Sequence, residues 1–229
     1  MRRFYGEAAV SPEEGGVAVL LDGGPLRTPG RNLLRVPTEE LAEAIAEEWN
    51  AQGETIDPRT MPLTGLANAA IDRVAPDPAA FARTLAAYAE SDLLCYRAEG
   101  PRPLVERQQQ LWEPLLGWAR TRFGVEFEVT AGIMHRRQPP ATVEQLGRAV
   151  AARGAFQLAG LSPLVTIAGS LVVALALAEG AIGLDAGWDA AMLDEAWQAE
   201  QWGADPLAAA SLENRRREFD SAYRFLTLL

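Results

Sequence analysis

The sequence predicts an α+β fold, with a small antiparallel β-meander in an N-terminal part packed on a larger multihelical domain. Three observations predict it. Residues 16–36 hold short strand-like runs punctuated by Gly-Gly and Pro-Gly; helical periodicity takes over after Pro37; and residues 158–178 carry no charge at all. The first pattern needs something to lie against, because a small meander is marginal alone. The third needs other helices around it, because a helix apolar on every side must be buried.

In the meander, VAVLL (17–21) is strand-like and Asp22-Gly23-Gly24 signals a turn. Leu26 to Thr28 and Leu33 to Val36 follow as short strands separated by Pro29-Gly30. Thr38 then caps a helix with Glu39 and Glu40 in its first turn, where the helix dipole favours acids. Leu41, Ile45 and Trp49, four apart, form its buried stripe. Pro62 opens a second helical stretch, and Asp77-Pro78 opens a third that is expected to run to Cys95. Residues 104–123 are helical with a kink or break at Pro114. VEFEVT (125–130) reads as a short strand, and Val143, Leu146 and Val150 mark a further helix.

The uncharged run 158–178 is long enough to span a bilayer. Ser162-Pro163 reads as a cap and first helical residue, and Gly180 as a stop, so a buried central helix from 163 to 179 is expected instead. No arginine cluster or aromatic belt flanks it. Leu193, Ala196 and Trp197 mark the next helix, and Leu212, Phe219, Tyr223 and Leu226 a C-terminal amphipathic one. The expected division is a sheet-bearing domain with one helix over 1–58 and a multihelical domain over 59–229.

Composition excludes several chemistries. All 21 basic residues are arginine, which removes lysine Schiff bases and the P-loop lysine. A net charge of −10 repels phosphate backbones, so no nucleic-acid partner is expected. One cysteine and one histidine make no zinc site, and no cofactor or metal is expected. HExxH, GxSxG, Walker and strand-linked GxGxxG patterns do not occur. One cysteine fits a reducing compartment.

Cys95 lies in SDLLCYRAE (91–99) and falls on an apolar stripe with Phe81, Leu85, Tyr88 and Asp92 if the helix is continuous. A nucleophilic thiol needs a base, and His135 is about forty residues away. Cys95 therefore reads as packing. Asp92 on that stripe needs a partner, and Arg73, Arg83 or Arg97 is expected to supply it. WDAAMLDEAWQAEQWG (188–203) sets large aromatics on two faces of an acidic helix, more apolar surface than one core contact requires. Tryptophan and methionine are frequent in recognition surfaces.

Several stretches, in order, carry a resemblance. They are Arg3-Phe4-Tyr5, LDGGPLRTP (21–29), VPTEELAEAIAEEWNAQ (36–52), MPLTGLANAAID (61–72), SDLLCYRAEGP (91–101), Gln109, WEPLLGW (112–118) and LDEAWQAEQWG (193–203). Over nearly its whole length the chain resembles the assembly chaperones of the ATP synthase catalytic sector (the Atp-twelve family). It departs from them at Gly24 and Arg27, and in ADPLAAASLEN after Trp202-Gly203, where the family often has acids and a His-Asp pair. The resemblance implies a non-enzymatic chaperone that binds the free alpha subunit, shields its subunit interface and releases it to beta. It implies Glu195, Gln198 and Trp202 as partner-binding residues, with Asp92, Trp49 and Cys95 structural. The short N-terminus suggests a bacterial member, and the protein is expected to be cytoplasmic, monomeric when free and not inserted in a membrane. The alternatives are a carboxylate-dependent hydrolase, with two facing carboxylates in a polar pocket, and a membrane-associated factor using residues 158–178.

Overall fold

The computed structural model describes residues 1–203 and 205–229. The fold is α+β: a small antiparallel sheet near the N-terminus and a multihelical body. The chain separates into two compact units. One comprises Met1–Pro78, Gly154–Gly160 and Arg224–Leu229, and the other Ala79–Arg153 and Leu161–Tyr223.

The first unit holds β1 (Ala8–Glu13), β2 (Gly16–Leu21), β3 (Gly24–Pro25) and β4 (Arg35–Val36). β1 and β2 form a hairpin with Ala8 opposite Leu21, and β2 also pairs antiparallel with β3 and β4. Helix α1 (Glu39–Asn50) packs on β1 and β2 through Leu41, Ile45 and Trp49. Thr38 caps it by accepting from the Leu41 N–H. Trp49 also belongs to this core: its ring meets that of Tyr5 edge-on at 5.5 Å, and its carbonyl accepts from the Tyr5 hydroxyl at 2.6 Å.

Helix α2 (Pro62–Ala69) has no capping side chain of its own, because Met61 stands at its N-cap. Glu48 supplies one from α1, accepting from the Leu63 and Thr64 N–H groups at 2.8 Å each. Asp72 in turn fastens the loop before β4. It accepts from the Thr28 hydroxyl, the Gly30 N–H and the Asn32 amide. A side chain at residue 30 would begin 2.6 Å from the Asp72 carboxylate, so only glycine fits that approach.

The second unit contains most of α3 (Pro78–Ala86), with α4 (Arg102–Phe123), α5 (Pro140–Ala151), the later part of α6 (Ala155–Ala168), α7 (Leu171–Ala178), α8 (Leu184–Trp202) and most of α9 (Pro206–Thr227). Its centre is α7, buried at every position from Leu171 to Leu177 and packed by α4 and α8. Among the described residues, no helix is long and apolar enough to cross a membrane.

Several local expectations are corrected. The apolar run is two helices: Pro163 lies inside α6, which ends at Gly169 in the left-handed region (φ +60°). Ser170 then caps α7, accepting from the Val173 N–H at 3.1 Å. Helix α4 runs on past Pro114 without a break. Of residues 125–130 only Thr130 enters a strand, in β6 (Thr130–Ala131), which pairs in parallel with β5 (Tyr96–Arg97). The helix from Pro78 stops at Ala86. Tight 3₁₀ turns over Ala87–Glu90 and Leu93–Cys95 follow, so Asp92 and Cys95 share no helical stripe with Phe81.

Asp92 is wholly buried, and its partner is not an arginine. It accepts from the Leu94 N–H at 3.1 Å and from the Val172 N–H at the start of α7 at 3.0 Å. The 3₁₀ turn and α7 thus begin on one carboxylate. Burial pushes its pKa up, against the pull of these donors and the Ser170 hydroxyl. Cys95 is fully buried beside it, and desolvation with the nearby Asp92 pushes the thiol up to about 12. A thiol held there is no nucleophile near neutral pH.

Candidate functional site

Helix α8 carries Asp185, Asp189, Asp194, Glu195 and Glu200 and no basic residue. Its first half is core. Gly187 approaches Leu177 so closely that a Cβ would lie 2.8 Å from that side chain, and Ala190, Met192 and Leu193 are buried. Beyond Leu193 the helix leaves the core, and the side chains from Glu195 onward are exposed except half-buried Trp197.

Two neighbours hold α8 along its length. From α4, the Trp112 indole donates to the Ala190 carbonyl at 2.8 Å and the Gln108 amide to Asp194 at 2.7 Å. Arg107 donates to both oxygens of Glu200, at 2.9 and 2.8 Å, and lies over the Trp197 ring at 4.9 Å. From α9, Arg216 bridges Asp185 and Asp220 and sits over Trp188, whose ring meets Phe219 edge-on. Arg215 engages both carboxylate oxygens of Glu195, at 2.9 Å for one of them.

Most of the acids on this helix are thus already engaged within the chain. What remains open is the end. Gln198 is exposed and makes no side-chain hydrogen bond among the described residues. Trp202 is 79% exposed. Gly203 turns the chain at φ +82°, and Asp205 caps the start of α9 through the Leu207 N–H at 3.2 Å. Leu207 is 80% exposed, and Ala208 to Ala210 are exposed behind it. Ala204, which opens the altered run after Gly203, lies outside the described residues.

Glu195, Gln198 and Trp202 therefore stand on the outer end of one helix, at spacings of three and four that share a face. Trp49, Asp92 and Cys95 sit in packed interiors. Leu207 falls in the run ADPLAAASLEN, where nothing in the sequence marks it as exposed. Trp202 and Leu207 are both largely exposed, one at the end of α8 and the other at the start of α9.

The larger described cavity, about 420 Å³, is lined by Glu90, His135, Arg137, Gln138, Pro140, Val143 and Glu144. Its carboxylates include Glu144, which pairs with Arg148 at 2.5 Å. Among the described residues, no three His, Cys, Asp or Glu side chains gather as a metal site.

Comparison with known proteins gives consistent relatives. The family model described as "ATP12 chaperone protein" matches residues 2–120. The mitochondrial protein atp12 of Schizosaccharomyces pombe is 26% identical over 215 residues, spanning 89% of this chain and 74% of that protein. The crystal structure of Atp12 from Paracoccus denitrificans superposes with a TM-score of 0.95 at 44% identity, covering 99% of this chain and 97% of that one. The Atu1473 protein of Agrobacterium tumefaciens superposes with a TM-score of 0.94 at 40% identity, covering 99% and 85%.

Proposed function

From the premise that the chain belongs to the ATP12 chaperone family, we propose that it binds the free alpha subunit of the ATP synthase catalytic sector, shields its subunit interface and releases it to beta. The observation that carries this reading is the open end of the α8–α9 pair, where Trp202 and Leu207 are each about four-fifths exposed. Large apolar groups left in water at the end of one helix and the start of the next are surface that a partner can cover. A free subunit whose interface awaits its neighbour offers complementary apolar surface and is prone to aggregate.

Glu195, Gln198 and Trp202 are the contacts proposed on this side. Glu195 enters already paired with Arg215, so it meets the partner as a held group rather than a free charge. The tryptophan is the anchor and the polar residues form a rim. The protein acts as a monomer in the cytoplasm and performs no chemistry on its client.

Co-expression of the alpha subunit of the same organism with this chain, without beta, tests the reading by gel filtration. A soluble complex that dissociates on adding beta is the expected result. Trp202→Ala should weaken it at least about 10-fold, as loss of a buried aromatic anchor does. Alpha that aggregates regardless, with no complex eluting, would overturn the reading.

A further inference from the structure

A second exposed apolar feature lies in the loop Gly132–Arg137, which joins β6 to α5. Ile133 is 97% exposed and Met134 77%. Such side chains ordinarily fold back onto the nearest apolar surface. Here the base of the loop is fastened. Gln138, 2% exposed, clamps Glu128 from both sides, accepting from its N–H at 3.0 Å and donating to its carbonyl at 2.9 Å. The Gly132 N–H donates to the Arg97 carbonyl at 2.9 Å, and the Tyr96 hydroxyl pairs with His135 Nδ1 at 3.1 Å. The tip is therefore presented, not left over.

Beside it stand Arg136 and Arg137. Both are exposed and, like Arg2, Arg3, Arg27, Arg31, Arg73 and Arg83, form no ion pair among the described residues. The loop is also tied to α8. Buried Gln108 donates to Asp194 on α8 and accepts from the Ala98 N–H at 2.8 Å, while its own carbonyl accepts from Arg97 at 2.7 Å. Arg97 is the residue whose carbonyl holds Gly132. Hydrogen bonds thus run without interruption from the acidic helix to the cationic loop.

We propose that the loop Gly132–Arg137 is a second docking surface for the same protein client, taking a segment in which apolar side chains lie next to carboxylates. The inference rests on the functional reading above. Ile133 and Met134 supply the apolar contact, and Arg136 and Arg137 pair with the client's acids. The two surfaces differ in kind: on α8 most acids are already engaged within the chain beside an exposed tryptophan, and here two arginines stand next to exposed aliphatic side chains. A client bound at both meets them in one orientation, because each surface takes a different segment. Two moderate contacts on one body also hold more tightly than either alone.

The test is the affinity of the full-length chain for purified alpha subunit, read at low and high salt. The variants are Arg136→Glu with Arg137→Glu, Arg136→Lys with Arg137→Lys, Ile133→Ser with Met134→Ser, and Trp202→Ala. The glutamate and serine pairs should each weaken binding about 10-fold or more, and the glutamate pair should also flatten or invert the salt dependence. The lysine pair should stay within about 3-fold, because point charge suffices at an exposed rim. Loop variants that bind like wild type while Trp202→Ala fails would overturn this inference alone. No binding by the wild type would overturn the functional reading and this one with it. Vesicles rich in anionic phospholipid provide the last arm: capture that the glutamate pair abolishes, with alpha binding untouched, would assign the loop to a membrane surface and overturn the proposal.

Discussion

Asp92 is a carboxylate with no cation, held by backbone N–H groups from two separate starts of structure. Replacing it with alanine strands those donors in the interior, which costs about 2–4 kcal/mol. Asp92→Asn should cost less, and comparing it with wild type isolates the charge. A carboxyl whose pKa is raised by folding binds more protons folded than unfolded. Its contribution is full below the ordinary value of 3.8 and fades as pH rises through the raised folded value. Urea unfolding across that window should therefore show wild type losing ground to Asp92→Asn as pH rises; parallel curves would refute this. Neighbouring Cys95 should resist alkylation at pH 8 in the native protein and react once unfolded. The oddness of Asp92 was legible, since a lone acid stood among apolar residues. Its partners were not, because both donors are main-chain groups, one at neighbouring Leu94 and one at Val172 eighty residues away, and a helix start carries no charge that a sequence displays.

Among elements, the uncharged run shows how one residue can outweigh a composition signal. Ser162-Pro163 has the residue types of a helix start, yet the chain is already helical there and stops only at Gly169. A left-handed glycine and a following serine cap divide the run, and both were present in the sequence with less weight than the proline. Gly169→Ala must hold a Cβ at φ +60° and should lower stability by about 1 kcal/mol, seen as a fall in melting temperature. Gln108 has the larger effect. It serves Asp194 and Ala98 at once from a site 1% exposed, so Gln108→Leu should cost about 2–3 kcal/mol by leaving both unpaired. A substitution within about 0.5 kcal/mol of wild type would show that water replaces the amide. Helix α8 was legible as acidic and aromatic. Its division into a buried first half and an outer half tied by ion pairs was not, because the ties come from Arg107, Gln108 and Trp112 on α4 and from Arg215 and Arg216 on α9.

For the molecule as a whole, the α+β class followed from the change of periodicity at Pro37, the most robust signal in the chain. The functional reading followed from ordered stretches rather than from chemistry, since no residue cluster announced an activity. The loop at Ile133 escaped notice because short apolar pairs in a Pro- and Arg-rich segment read as connection, and exposure cannot be seen in a sequence. Net charge makes a prediction at this scale. A chain at −10 should meet a cationic client patch faster at low ionic strength, so the association rate should fall as salt rises toward about 0.5 M while dissociation changes less. An association rate indifferent to salt would refute charge steering.

Trp202 also lends the protein an optical property. Trp112 and Trp49 are buried, and Trp118, Trp188 and Trp197 are half-buried, whereas Trp202 faces water. Light absorbed by that indole is emitted toward the red and is open to collisional quenching by iodide or acrylamide, while the rest glow from drier surroundings. A client that seats on the helix end would shift this one emitter to the blue and shelter it from quencher. Binding could then be followed in real time without any label, with Trp202→Phe as the dark reference.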